Sequence, residues 1–100
     1  MAEKNESIIK AETRSGIKLV INERIKEDAR LLFYLSKLQD KEISDMDKNP
    51  YLFKFLELIF GSEGITTFMN EVAAHHDGVA DIKSLIEEIN DVFEALKLKN

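Results

Sequence analysis

The strongest constraint on the fold is a run of apolar residues in the middle of the chain, from Pro50 to Phe60. Only two of its eleven residues are charged. Asn49 and Pro50 form a typical helix start, because asparagine can cap free amides and proline is tolerated at the first helical position. Gly61 favours a helix end. A helix that is apolar on nearly all sides must either lie at the centre of its fold or contact a partner as well as the core.

A second apolar run, Leu31 to Leu35, lies in a helix that is predicted over residues 23–39 with Asn22 as its N-cap. Five consecutive apolar side chains cannot all lie on one face of a helix. A domain of 100 residues rarely encloses two such helices completely. We therefore expect some of this surface to bind another protein. Aromatic side chains contribute most to buried interfaces, so the predicted contact residues, whichever of them face the core, are Phe33, Tyr34, Tyr51, Phe53, Phe55 and Phe60.

Residues 8–22 have the pattern of a β-hairpin. β-Branched residues occur on both sides of the sequence Arg14-Ser15-Gly16. Gly16 can adopt the positive φ that a short turn requires. A lone two-stranded hairpin is marginally stable in water, so it must either pack on the helices or pair with another subunit.

Two further helices are predicted in the second half, after a loop over residues 40–49. Ser62 can cap the first of them, which ends near Gly78, and Asp81 can cap the second. The charged residues of the last helix, Glu87 and Glu88 among them, are expected on its solvated face. They oppose an apolar stripe that consists of Ile82, Leu85, Ile86, Ile89, Val92, Phe93 and Leu96.

These patterns predict a mainly α-helical fold with about four helices in a compact single domain and a short N-terminal β-hairpin. Residues 1–7 are expected to be disordered and residues 8–100 to form the domain, with the hairpin at residues 8–22. No repeat and no change in composition indicates a second domain.

The charge distribution argues against nucleic-acid binding. The net charge is −5, and residues 51–100 contain four basic and nine acidic side chains, whereas residues 1–50 contain ten of each. No cluster of lysine and arginine is present to displace counterions from phosphates. No apolar segment has the length of a membrane span or a signal peptide, and cysteine is absent. A cytoplasmic location is expected.

Candidate catalytic groups are few. Histidines His75 and His76, followed by Asp77, form the one cluster of metal-binding or acid-base residue types. Adjacent side chains on a helix point about 100° apart, whereas a metal site on a helix needs residues three or four apart and a further ligand. The cluster is therefore interpreted as a helix end. Because no phosphate-binding loop or nucleophile motif is present either, we expect no enzyme activity, no cofactor and no metal.

Several short motifs follow one another in a characteristic order. They are Ser15-Gly16, Glu27-Asp28 before Leu31-Leu32, Leu52 to Gly61 continuing into Ser62-Glu63, His75-His76-Asp77-Gly78, and Glu88 to Asn100 with its Glu-Ala-Leu element. This order resembles that of the tail assembly chaperones of long-tailed bacteriophages and prophages, over residues 13–100.

The resemblance implies a chaperone that binds the tape-measure protein and keeps it soluble while the tail tube assembles. It also implies homo-oligomers in the bacterial host cytoplasm, and a longer companion product, made by ribosomal frameshifting near the end of the frame, that recruits tail tube protein. The alternative from another class is a small acidic inhibitor that masks a basic surface of a host or phage protein. Its contact residues would be Glu87, Glu88, Asp91 and Glu94.

Overall fold

The protein is a two-stranded antiparallel sheet packed against three α-helices, in a computed structural model that describes residues 8–97. Residues 1–7, which are predicted to be disordered, lie outside the described residues. So do residues 98–100, where the predicted frameshift would occur. The mainly helical fold class and the N-terminal hairpin are confirmed. The elements in chain order are the strands β1 (Ile8–Glu12) and β2 (Lys18–Asn22), a 3₁₀ helix (Glu23–Glu27), and the helices α1 (Ala29–Leu38), α2 (Asp45–His75) and α3 (Ile82–Leu96).

The hairpin packs on the helices, which is the first of the two arrangements expected for it. Its strands pair along their full length, and Gly16 in the turn has the predicted positive φ, 104°. One face of the hairpin contacts α2 and α3, and the fully buried side chains on that face are Ile17, Leu19 and Ile21.

The predicted helix over residues 23–39 is wrong, because two capping residues divide this stretch. Asn22 accepts a hydrogen bond from the Arg24 amide at 3.0 Å and caps only the 3₁₀ helix. Asp28 has extended backbone and accepts from the Arg30 amide at 2.8 Å, which starts α1 afresh. The side-chain and backbone hydrogen bonds from Arg30 lower the pKa of Asp28 to about 2. An ionised carboxylate at a helix N-terminus stabilises the cap.

Helix α2 begins five residues before the predicted start at Pro50. The Ser44 hydroxyl accepts from the Asp47 amide at 3.1 Å, and Asp45 and Asp47 place negative charge in the first turn. These residues were predicted to be a loop. Pro50 consequently lies inside the helix, where its missing N–H removes one backbone hydrogen bond.

The predicted helix end at Gly61 is present as a break inside α2. Gly61 has φ 84° and ψ 167°, a non-helical conformation that glycine adopts readily. It separates the helical residues 45–60 from the helical residues 62–75. Because the helical backbone resumes directly after the break, residues 8–97 contain three α-helices where about four were predicted. The rings of Phe60 and Phe68 stack across the break, with their centroids 4.7 Å apart.

The transition from α2 to α3 follows the prediction. Gly78 has a positive φ, and its amide donates to the Ala73 carbonyl at 2.7 Å. The Asp81 carboxylate accepts from the Ser84 amide at 2.8 Å and caps α3. No helix within residues 8–97 is long and apolar enough to cross a membrane.

One core joins the hairpin to all three helices. Phe55 lies at its centre with no exposed area, and its ring packs edge-on against Phe93 at a centroid distance of 5.3 Å. The other buried helical members are Leu31, Leu35, Leu52, Leu56, Phe68, Val72, Leu85, Ile89, Val92 and Leu96.

Candidate protein-binding surfaces

The apolar run of α1 is divided between the core and the solvent. Leu31 and Leu35, one turn apart, are buried, whereas Leu32 and Phe33 are 53% and 51% exposed. Side chains four residues apart share a helix face, and their neighbours in sequence point elsewhere. The core therefore accepts one face of α1 and leaves two large apolar side chains in solvent.

Three aromatic rings meet on this exposed side. The Phe33 ring lies edge-on to Tyr34 at 5.9 Å and to Tyr51 of α2 at 6.2 Å, measured between ring centroids. Both tyrosines are half-buried, so the Phe33 ring packs against side chains that are themselves partly anchored in the fold. We call Phe33, Tyr34 and Tyr51 the aromatic surface.

Basic side chains border the aromatic surface, although the chain as a whole is acidic. The Lys37 ammonium lies 5.3 Å from the centroid of the Phe33 ring, close enough for a cation–π contact. A shallow depression of about 320 Å³ beside Tyr34 is lined by Lys54 and Glu57 among others. Arg30 also lines it but is paired with Asp28 at 2.7 Å.

The remaining predicted contact residues lie elsewhere. Phe55 is in the core and is therefore not available to a partner. Phe60 is half-buried and stacks on Phe68, whereas Phe53 is exposed on α2. Three of the six predicted residues thus come together, namely Phe33, Tyr34 and Tyr51.

A second apolar surface is a groove of about 790 Å³ between the first part of α2 and α3, closed at one side by the end of α1. Met46 and Ile86 are its most exposed apolar members, at 78% and 47%. We call it the α2–α3 groove, and it is lined by Leu38, Gln39, Asp45, Met46, Lys48, Asn49, Leu52, Ile82, Lys83, Ile86, Glu87, Ile89, Asn90 and Phe93.

The sequence interpretation missed this groove. The sequence predicts the apolar stripe of α3 as one face, and nothing in its spacing shows that part of it lines a groove. The residues of the stripe that line the groove are spaced along the helix as Ile82, Ile86, Ile89 and Phe93. The wall of the groove that α2 forms could not be predicted either, because Met46 lies in the segment that the sequence predicts to be a loop.

A polar cluster lies between the hairpin turn and α3. Glu88 is only 3% exposed, so its predicted place on a solvated face is wrong. Its Oε2 accepts from the Ser15 hydroxyl at 2.5 Å and lies 2.8 Å from Nε2 of His76. Burial alone would raise the pKa of Glu88, but the hydrogen bonds from Ser15, His76 and Thr13 outweigh burial and lower it. Since an ionised carboxylate can only accept, His76 donates through Nε2. We call Ser15, His76 and Glu88 the Glu88 cluster.

A neighbouring ion pair ties the same turn to α3. The Arg14 amide donates to Oδ2 of Asp91 at 3.0 Å, and its Nε donates to Oδ1 at 3.1 Å. Glu88 and Asp91 are thus both engaged within the fold, and of the four acidic residues proposed for an inhibitor only Glu87 and Glu94 are exposed. This arrangement disfavours an acidic contact face on α3.

The histidine pair lies where helix α2 ends. His75 is the last residue of the helix, and His76 is committed to Glu88. Among residues 8–97, no group of three or more histidine, cysteine, aspartate or glutamate side chains could hold a metal ion.

Comparison with known proteins does not identify a family. No protein-family model, no curated protein and no solved structure matches this chain. The assignment of a function therefore depends on the surfaces described above and on the order of motifs in the sequence.

Proposed function

We propose that this protein binds another protein, without catalysing a reaction, by covering an apolar helical segment of its client with the aromatic surface. The observation that carries the proposal is the half-exposed Phe33 ring, which packs edge-on against Tyr34 and Tyr51. Rings that are already held in place bury a large area on binding and lose little conformational entropy. Such rigid aromatic groups are the usual anchors of protein interfaces.

The shape and the charges of the aromatic surface indicate the kind of client that it would bind. Helical segments bind apolar surfaces through side chains spaced three and four residues apart. The ammonium groups of Lys37 and Lys54 and the carboxylate of Glu57 border the surface. Positive charge is in excess there, so acidic side chains beside the client's apolar stripe would be attracted to it. The client is thus an amphipathic helix with acidic residues flanking its apolar face.

The finer proposal is a phage tail assembly chaperone, with the tape-measure protein as its client. It is supported by the order of motifs over residues 13–100, and the aromatic surface is compatible with it. A long client with many apolar helices would aggregate unless such surface were covered. In this proposal the protein acts in the host cytoplasm, forms homo-oligomers, and reaches the tail tube protein through a longer frameshifted product.

Co-expression tests the proposal. The protein is produced together with the product of the longest downstream open reading frame, and the soluble fraction and co-purification of that product are measured. Phe33→Asp should remove both, because it places a charge at the centre of the aromatic surface. Val20→Asp is the matched control, since Val20 is 62% exposed and lies opposite Lys10 on the outer side of the hairpin. A client that is equally soluble without this protein, or with Phe33→Asp, contradicts the proposal.

A further inference from the structure

The shape of the α2–α3 groove suits a second copy of the same surface. Leu52, Ile89 and Phe93 form a buried apolar floor, while Met46 and Ile86 project at the rims. A surface that contains both a hollow and projecting apolar side chains can fit itself across a two-fold axis, because each copy supplies the projections that fill the other's hollow.

The charges that line the groove also favour a second copy of the protein as the partner. On α2, Asp45 lies about one turn before Lys48, and on α3, Lys83 lies one turn before Glu87. Each wall therefore carries one acid and one base. A partner of uniform charge would be repelled by half of these groups, whereas an antiparallel copy places each base opposite an acid.

From these two observations we propose that a second copy of this protein docks in the α2–α3 groove through a two-fold axis, with the two α3 helices antiparallel. Lys83 of each copy then faces Glu87 of the other, and Ile86 of each copy enters the other's groove. None of the aromatic surface residues lines the groove, so the dimer leaves both aromatic surfaces free. The inference gives the homo-oligomer of the proposed function a defined interface, but it is argued from the groove alone and does not depend on what the client is.

The consequence for binding is bivalency. Two aromatic surfaces on one dimer can engage two helical segments of a single long client, and the second contact then forms within the complex at a raised effective concentration. A monomer has only one such surface.

The mass of the protein in solution tests the dimer. Sedimentation equilibrium from about 1 to about 100 µM, the range of weak and moderate association, should show a monomer–dimer equilibrium for the natural chain. Ile86→Asp should be monomeric throughout, because it places charge in the centre of the contact, and Val20→Asp should behave as the natural chain does. Ile86 is half-exposed, so a melting curve should show that Ile86→Asp still folds.

A charge exchange tests the symmetry without altering the apolar contact. In the dimer, Lys83→Glu places like charges opposite each other at two symmetric positions. It should weaken the dimer by about twofold to thirtyfold, the range for exposed ion pairs counted twice. The double variant Lys83→Glu with Glu87→Lys should restore the natural affinity. A natural chain that is monomeric at every concentration, a stoichiometry other than two, a dimeric Ile86→Asp, or a double variant as weak as the single one overturns the proposal.

Discussion

The aromatic surface and the α2–α3 groove are both apolar and both exposed, but they differ in shape and in charge. The aromatic surface projects from α1 around Phe33 and is bordered by the basic residues Lys37 and Lys54. The groove is a mainly aliphatic hollow whose charged residues balance on each wall. A surface with an excess of positive charge favours a partner that carries negative charge. A surface with one acid and one base on each wall favours an antiparallel copy of itself, in which each base lies opposite an acid.

The difference also shows why a chain of this size exposes so much apolar area. A domain of 100 residues buries only about two-thirds of its unfolded surface. The core takes one face of each helix, with Phe55 at its centre, and what remains on α1 and α3 forms two separate patches. Their separation allows one to serve assembly and the other to serve a client.

The largest predicted effect separates core aromatics from the aromatic surface. Phe55→Ala should lower the free energy of unfolding by about 3–5 kcal/mol, because it leaves a cavity in a closed core. Phe33→Ala should cost less than about 1 kcal/mol, since its ring is half in solvent. Urea denaturation measures both. Equal losses for the two variants would show that Phe33 is a core residue and would remove the distinction on which the client-binding surface depends.

A smaller effect is expected at the Glu88 cluster, which belongs to neither surface. Glu88→Gln should lower the free energy of unfolding at pH 7 by about 1–3 kcal/mol, because it weakens charged hydrogen bonds from Ser15 and His76. Glu87→Gln is the control, since Glu87 is exposed. Dimerisation and client binding should survive in both variants. Loss of either property in Glu88→Gln would show that the hairpin and the binding surfaces are coupled.

The same variant has a predicted pH dependence. The pKa of Glu88 is lowered in the folded state relative to its ordinary value of 4.5, so the folded state favours the ionised form. The stability that this ionisation contributes is present above pH 4.5 and is lost as the pH falls through the lowered folded value. The stability difference between the natural chain and Glu88→Gln should therefore shrink below pH 4.5 in thermal melts. A difference that stays constant from pH 7 to acid would contradict the ionised assignment.

Next in size is the contribution of Lys37 to the aromatic surface. Its ammonium lies over the Phe33 ring, beside the place where an acidic side chain of the client is proposed to bind. An exposed ion pair of this kind is worth at most about 1 kcal/mol. Lys37→Gln should thus weaken client binding by up to about fivefold in a titration calorimeter, while Lys48→Gln, a groove residue, should leave it unchanged. The reverse order would place the client in the groove.

The smallest effect is the response to salt. Raising the salt from about 0.05 to about 0.5 M should weaken the dimer modestly, because exposed ion pairs are screened. Client binding through the aromatic surface should lose only the small attraction of Lys37 and Lys54 for acidic side chains of the client, since apolar burial is not screened. A steep loss of client affinity with salt would favour the acidic inhibitor instead.

Much of the fold was predictable from local chemistry. The turn at Gly16, the cap at Asp81 and the left-handed Gly78 each follow from one residue whose conformational preference no neighbour opposes. The predictions were wrong where two local signals compete. Asn22 and Asp28 each cap a helix, so the predicted single helix over residues 23–39 is divided into a 3₁₀ helix and α1. Ser44 caps α2 five residues before the start that Pro50 predicts.

The binding surfaces were only partly predictable, because they depend on packing between distant segments. The aromatic types at Phe33, Tyr34 and Tyr51 suggested contact, but no spacing rule brings α1 against α2. In the sequence Glu88 has the pattern of any charged helical residue. Its burial is offset by hydrogen bonds from His76 and from Ser15, which lies 73 positions away.

The most direct test of the central claim, that the two surfaces have separate functions, is native mass spectrometry of the protein co-purified with its client. Phe33→Asp should yield a dimer without client, and Ile86→Asp should yield a monomer that still holds the client. If either variant lost both the second copy and the client while its melting curve stayed unchanged, the two surfaces would not have separate functions.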